Sequence, residues 1–192
     1  HRTLLQEIDQ LIGRLFLCVR CVLISTTLSE GRMTPAPLRI RDLADTFRND
    51  QGIITRRLGV DFEVEFDPDD GMETVPVDKK VVGLAMACLV GLTHGFQGEG
   101  CLVELAPRDG QLVVKTHYYL CQHPDAVVEL IHRPPQPAKT EAKGPGHDFL
   151  TGLFLDFLHS TVELTGGQLQ VTQKEKTVLL TVRFTFADSK PA

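Results

Sequence analysis

The sequence predicts an α+β fold: a two-layer α/β sandwich in which a mixed, mostly antiparallel sheet carries helices on one face, preceded by a long helix. Three observations support this prediction. Residues 78–96 have apolar side chains at three- and four-residue steps, which is the period of a buried helix. Residues 60–66 and 177–186 alternate between apolar and polar, as half-buried strands do. Residues 1–30 carry a continuous apolar seam of helical period.

The N-terminal segment, residues 1–33, is predicted to be a bundle or dimerisation helix. Its seam alternates four- and three-residue steps, and further apolar residues widen it. Such a helix needs packing partners on two sides, so we expect a homodimer about a twofold axis. The predicted dimerisation residues are Leu4, Ile8, Leu11, Leu15, Cys18 and Val22.

The central helix begins after Asp78, whose carboxylate can accept hydrogen bonds from free amides of the first turn. Its apolar face is predicted to pack against the sheet, and Gly95 and Gly98 are expected to end it. Before it, residues 38–58 are predicted to form one helix, weakened in the middle by Gly52.

The second half of the chain should supply two hairpins and one more helix. The Asp109-Gly110 step predicts a hairpin between strands 101–106 and 111–119. Residues 121–147 are rich in proline and are expected to form a long loop, with only 126–131 able to form a short strand or helical turn. A helix capped by Asp148 then runs to about residue 164, followed by strands 168–172 and 177–186.

Composition limits the function. The chain of 192 residues is 42% hydrophobic and 23% charged, with a net charge of −5, which fits a soluble globular protein and argues against a nucleic-acid binder. The longest apolar run, residues 15–24, is interrupted by Arg20, so no membrane contact is expected. Five cysteines without regular spacing favour a reducing compartment, and we expect the cytoplasm.

Three stretches resemble the sensor histidine kinase family. Residues 162–171, which begin Val-Glu-Leu-Thr-Gly-Gly, are similar to the family's Val-Glu-x-His-Gly-Gly phrase. Residues 151–155, Thr-Gly-Leu-Phe-Leu, resemble its Thr-Gly-Leu-Gly-Leu box, and helix 78–96 resembles its first ATP-lid helix. The resemblance implies a Bergerat-type ATPase domain over residues 38–187, a lid equivalent at 121–147, and the end of a dimerisation domain before it.

The same resemblance implies that the ATP-binding boxes are not intact. Where the family has a magnesium-binding Asn-Ala pair and a nearby Lys, this chain has Leu92, Thr93 and Gly95. Phe154 replaces the second glycine of the box that contains Thr151 and Gly152. The strand around Tyr118 lacks the Asp-x-Gly-x-Gly phrase that holds adenine. We therefore expect no bound ATP, no cofactor, no metal and no catalytic residue.

The resulting hypothesis is a non-catalytic, pseudokinase-type signalling module of a two-component or phosphorelay pathway. It would act through homodimerisation and through contacts with a response regulator receiver domain or with another histidine kinase. Two alternatives remain open: a histidine phosphotransfer adaptor whose phosphoacceptor lies upstream, and a divergent kinase that still binds ATP. Cys18 and Cys21 are expected to be buried small hydrophobes, while metal binding by Cys121, His123 and His132 is disfavoured because their spacing matches no zinc pattern.

Overall fold

The computed structural model describes residues 2–132 and 149–186. It contains five helices and seven strands in those ranges, with a short 3₁₀ turn at Asp70–Met72. The helices are α1 (Arg2–Ser29), α2 (Ile40–Leu58), α3 (Lys79–Gly95), α4 (Pro124–His132) and α5 (Phe149–Thr165). The strands are β1 (Ala36–Arg39), β2 (Phe62–Phe66), β3 (Thr74–Val77), β4 (Gly100–Arg108), β5 (Gln111–Tyr119), β6 (Gln168–Lys174) and β7 (Thr177–Phe184).

The main sheet has five strands in the order β2-β4-β5-β7-β6. β2 pairs with β4 in parallel, and every other neighbouring pair in this sheet is antiparallel. The hairpin predicted at Asp109-Gly110 is confirmed: both residues have positive φ, at 54° and 73°, as the tight turn between β4 and β5 requires. The predicted α+β class, with a mixed and mostly antiparallel sheet, is therefore confirmed.

The core lies between this sheet and the helices on one of its faces. α3 is buried on nearly all sides because it packs against β4 and β5, against α2 and α5, and against α1. α1 contacts α5, α2 and α3, so it covers the outer side of the helical layer. The inward residues of α1 are Leu17, Cys18, Cys21 and Leu28.

Two predicted boundaries were wrong. Residues 38 and 39 belong to β1 and not to the helix, because the prolines of this segment favour extended backbone; Pro37 lies opposite Pro76 in the β1–β3 ribbon.

The second difference lies within residues 121–147. Residues 124–132 form the regular helix α4, whose side chains Val127 and Ile131 are buried in the core. α2 runs without interruption through Gly52. The predicted cap Asp148 lies outside the described residues.

The predicted dimerisation residues of α1 divide into two groups. Cys18 is buried inside this chain, so it has little surface left for a second chain. The other five remain exposed: Leu4, Ile8, Leu11, Leu15 and Val22. A second exposed apolar stripe runs beside them, formed by Leu5, Ile12, Phe16, Val19 and Leu23.

α1 is also long and apolar enough, over residues Leu4–Ser29, to cross a membrane by length and composition alone. The sequence suggested an apolar run of residues 15–24 interrupted by Arg20, but Arg14 and Arg20 are the only charged residues between positions 10 and 29. The core helix of a soluble protein and a signal sequence near the N-terminus pass the same test, and 28% of the apolar window is buried inside this chain.

Candidate functional site

The N-terminus of α3 is fixed by the residue predicted to cap it. Asp78 accepts hydrogen bonds from the backbone amides of Lys80 and Val81 at 3.0 and 3.2 Å. Its other carboxylate oxygen accepts one from the amide of Thr34 at 2.8 Å. The cap therefore also ties the segment after α1 to the start of α3.

The C-terminal half of α3 packs tightly against α5. A β-carbon built on Gly91 would lie 2.7 Å from Cε2 of Phe154, and one built on Gly95 would collide with the side chain of Thr151. Since neither glycine has a β-carbon, the two helices approach closely, and the Phe154 ring is 3% exposed. Phe154 and Thr151 thus occupy the space between the helices.

Little free volume is left at this contact. The residual cavity measures ≈ 10 Å³, which is at the lower limit for one water molecule. Small-molecule sites usually occupy about 300–1,000 Å³. α1 and α2 close the outer side, where Arg14 donates a hydrogen bond to the backbone carbonyl of Leu58 at 3.5 Å. The contact between α3 and α5 is therefore closely packed in the described residues.

Leu92 and Thr93, two of the residues expected from the sequence to be altered ATP-box positions, are both buried. The Leu92 side chain offers no oxygen to a hard cation. Thr93 lies beside Cys101 of β4, and burial raises the pKa of the Cys101 thiol to about 11, although the Thr93 hydroxyl opposes this rise. Both residues thus belong to the core under α3.

Tyr118 joins β5 to α3. Its hydroxyl donates a hydrogen bond to the backbone carbonyl of Leu89 at 2.8 Å, and its ring meets Phe96 edge to face at 5.0 Å between centroids. Burial raises the pKa of its phenol well above the ordinary value, so it stays protonated. Tyr118 is therefore a neutral, buried phenol in the core.

The structure brings together some of the seven ATP-box positions and separates others. Gly95, Thr151 and Phe154 line the residual cavity, while Leu92, Thr93 and Tyr118 lie in the adjoining core. Gly152 faces open space, since a β-carbon there would meet no atom within 4 Å.

The cysteine and histidine candidates do not form a metal site. Among the described residues there is no group of three or more histidine, cysteine, aspartate or glutamate side chains that could hold a metal ion. The Cys121 thiol donates to the carbonyl of Tyr118, and His132 Nδ1 lies 2.9 Å from the carbonyl of Val128. Cys18 and Cys21 are buried, as predicted, and Cys21 Sγ lies 3.4 Å from Cys88 Sγ.

Sequence reasoning missed a second, larger cavity of ≈ 590 Å³ between α1, α2 and the start of α3. The one available sequence signal was the pair Gly83 and Ala87, which leaves one side of α3 without bulky side chains. The two small residues predict a cavity only in combination with the position of α1, which packs across α2 and α3.

Comparison with solved structures gives the fold. The chain matches the catalytic domain of the histidine kinase ThkA with a TM-score of 0.55 and 18% identity, covering 80% of this chain and 96% of that one. A histidine kinase from Burkholderia phymatum STM815 matches with a TM-score of 0.56 and 16% identity, covering 95% and 98%. Full-length ShkA in complex with AMPPNP matches with a TM-score of 0.62 and 18% identity, covering 91% of this chain and 36% of ShkA.

No protein-family model matches the sequence, and no curated protein matches it. At these identities the structural matches establish the fold and nothing finer. The chain has the fold of a histidine kinase catalytic domain, preceded by a long N-terminal helix.

Proposed function

We propose that this chain is a non-catalytic, histidine-kinase-like signalling module that does not bind ATP. The observation that carries the proposal is the filled contact between α3 and α5. Phe154 and Thr151 pack onto Gly91 and Gly95 and leave a cavity of only ≈ 10 Å³. A nucleotide would have to separate two helices whose contact surfaces are buried in the core.

The other altered positions support the same conclusion by chemistry. Leu92 supplies no magnesium ligand, and Tyr118 presents a hydroxyl that is already bonded to Leu89. Replacing Leu92 with an oxygen-bearing side chain would still leave the Tyr118 hydroxyl bonded to Leu89 and the Phe154 ring packed on Gly91. The divergent-kinase alternative therefore requires binding groups that the described residues do not offer in this region.

The module would act through α1, in the cytoplasm. Five predicted dimerisation residues are exposed, including Leu15 at 54%, and together with the second stripe they form an apolar surface along the whole helix. An apolar surface of this extent usually marks an interface. We propose that α1 pairs with a second copy in a helical bundle, and that the assembled dimer contacts a receiver domain or another histidine kinase.

A labelling assay tests the proposed function. The protein is incubated with magnesium and ATP labelled at the γ-phosphate, with and without an added receiver domain. We expect no label on the protein and no ATP hydrolysis above a protein-free blank. Label on this chain, or hydrolysis that rises with protein concentration, would instead support the divergent-kinase alternative.

A further inference from the structure

The cavity of ≈ 590 Å³ lies between α1, α2 and the start of α3, and it borders the small cavity at the contact between α3 and α5, with which it shares Leu58. Three helices form it: α1 and α2 make the walls, and the first turns of α3 make the floor. Its size falls within the range of small-molecule sites. The apolar walls include Phe16, Leu17, Leu43, Phe47, Ile54 and Leu58.

Small residues explain why the cavity exists. Gly83 and Ala87 lie one turn apart on the floor, and a β-carbon on Gly83 would meet no atom within 4 Å. At Gly13, by contrast, an added β-carbon would lie 2.7 Å from the backbone carbonyl oxygen of Arg57. α1 and α2 therefore touch at that point, and space remains over Gly83.

The charged residues around this cavity are mostly cationic. Arg20, Arg57, Lys79 and Lys80 line it, whereas Asp50 is the one acidic lining residue. Lys79 and Lys80 lie in the first turn of α3, where the helix dipole disfavours a positive side chain. The Asp78 carboxylate already caps the amides of this turn, so the two lysine side chains supply the positive charge that favours an anion at this edge of the cavity.

We propose that this cavity binds a single-chain amphiphile with an anionic head group, such as a long-chain alkyl carboxylate. The alkyl tail lies between α1, α2 and α3, over Gly83. The carboxylate lies beside Lys79 and Lys80, in the first turn of α3. The apolar walls and these two lysines match both halves of such a molecule.

Calorimetric titration with dodecanoate below its micellar concentration is the first test. Octanoate and dodecyltrimethylammonium serve as the matched short-chain and cationic ligands. We expect one dodecanoate per chain, affinity that rises about fourfold for each buried methylene group, and at least tenfold weaker binding of the cation. Failure of dodecanoate to bind the wild-type protein would overturn the proposal.

Two variants locate the site. Gly83→Leu places a side chain in the cavity at a position where the β-carbon meets no atom within 4 Å, and it should weaken dodecanoate binding at least tenfold. Glu163→Leu adds the same side chain to an exposed position of α5 and should leave dodecanoate binding unchanged. The double variant Lys79→Glu/Lys80→Glu should also weaken it tenfold, and it keeps α3 intact because acidic residues suit a helix N-terminus. Lys174→Glu/Lys176→Glu, in the β6–β7 hairpin, is its control.

The remaining outcomes contradict the proposal. Dodecanoate binding that survives both cavity variants would place the ligand elsewhere on the protein. Cosedimentation with anionic phospholipid vesicles, without binding of free dodecanoate, would assign the basic edge to a membrane surface. Thermal unfolding of each variant checks that lost binding does not reflect lost folding.

Discussion

Phe154 of α5 stands over Gly91 of α3, so that a β-carbon on the glycine would lie 2.7 Å from the phenylalanine ring. The Phe154 ring fits at this place because Gly91 has no side chain, and the ring in turn fills the space between α3 and α5. Phe154, which the sequence resemblance placed where the similar box has a glycine, therefore contributes to the packing between α3 and α5. Four predictions about individual side chains follow, and a fifth concerns ATP.

The first prediction concerns Gly91. Gly91→Ala should destabilise the protein by about 1–2 kcal/mol, because overpacking a core costs about 1–3 kcal/mol while the gain in helix propensity returns at most about 1 kcal/mol. Gly83→Ala, on the same helix but facing open space, should stabilise it by up to about 1 kcal/mol. Urea unfolding of both variants measures the difference. Equal effects would contradict the close contact between Phe154 and α3.

The second prediction concerns the tyrosine that replaces the family's aspartate. Tyr118→Phe removes the hydroxyl that donates to the Leu89 carbonyl at 2.8 Å and keeps the edge-to-face contact with Phe96. The free energy of unfolding should fall by about 1 kcal/mol, the usual net value of one buried hydrogen bond. Unchanged stability in urea unfolding would mean that this bond does not hold β5 to α3.

Much of the fold was predictable because local patterns and tertiary packing agree. The alternation of β7 and the Asp109-Gly110 turn each point to one structure, and the structure has it. Asp78 was recognisable because a cap acts on its own helix. Strand β1 was not recognisable, since its pairing with β3 brings together residues 38 and 75, which are far apart in the sequence.

The candidate site was predictable only in outline. Comparison of residue types led to the expectation that the ATP boxes are altered at Leu92, Tyr118 and Phe154. It did not show that Phe154 fits onto Gly91, because a contact between two helices depends on their relative position. The burial of Cys18 and the cavity over Gly83 depend on where α1 packs, and the periodicity of α1 alone allows several directions.

The third prediction concerns the assembly. If α1 forms the dimer, Leu15→Glu should give a monomer of 21.3 kDa in light scattering, whereas the wild-type protein has twice that mass. A charge placed in an apolar bundle contact is costly because it loses its hydration. Met72→Glu places the same charge on an exposed apolar residue outside α1 and should remain dimeric. A monomeric wild-type protein, or a Leu15→Glu variant that remains dimeric, would show that α1 does not form the dimer interface.

The fourth prediction concerns alkaline pH and Cys101. Burial raises the pKa of this thiol to about 11, from 9.0 for the unperturbed group. Between these values the unfolded chain loses the proton and the folded chain keeps it, so stability falls as pH rises. From pH 8 to pH 10 the wild-type protein should lose roughly 1 kcal/mol more than Cys101→Val.

Urea unfolding at the two pH values measures this difference directly. Cys88 and Cys121 are also buried and also have raised pKa values, but they are present in both proteins and their shifts do not depend on Cys101. Burial is the main cause of the raised Tyr118 pKa, and burial is kept in Cys101→Val. The same pH dependence in Cys101→Val and in the wild-type protein would contradict the assignment to Cys101.

The most direct test of the central claim is a calorimetric and thermal-shift titration of the wild-type protein with ATP and magnesium. A ligand that binds only the folded state adds about 2.7 kcal/mol of stability at a hundredfold excess over its dissociation constant. The filled contact between α3 and α5 predicts no binding heat and no thermal shift at millimolar ATP. Saturable binding of one ATP per chain, competed by ADP, would contradict the account.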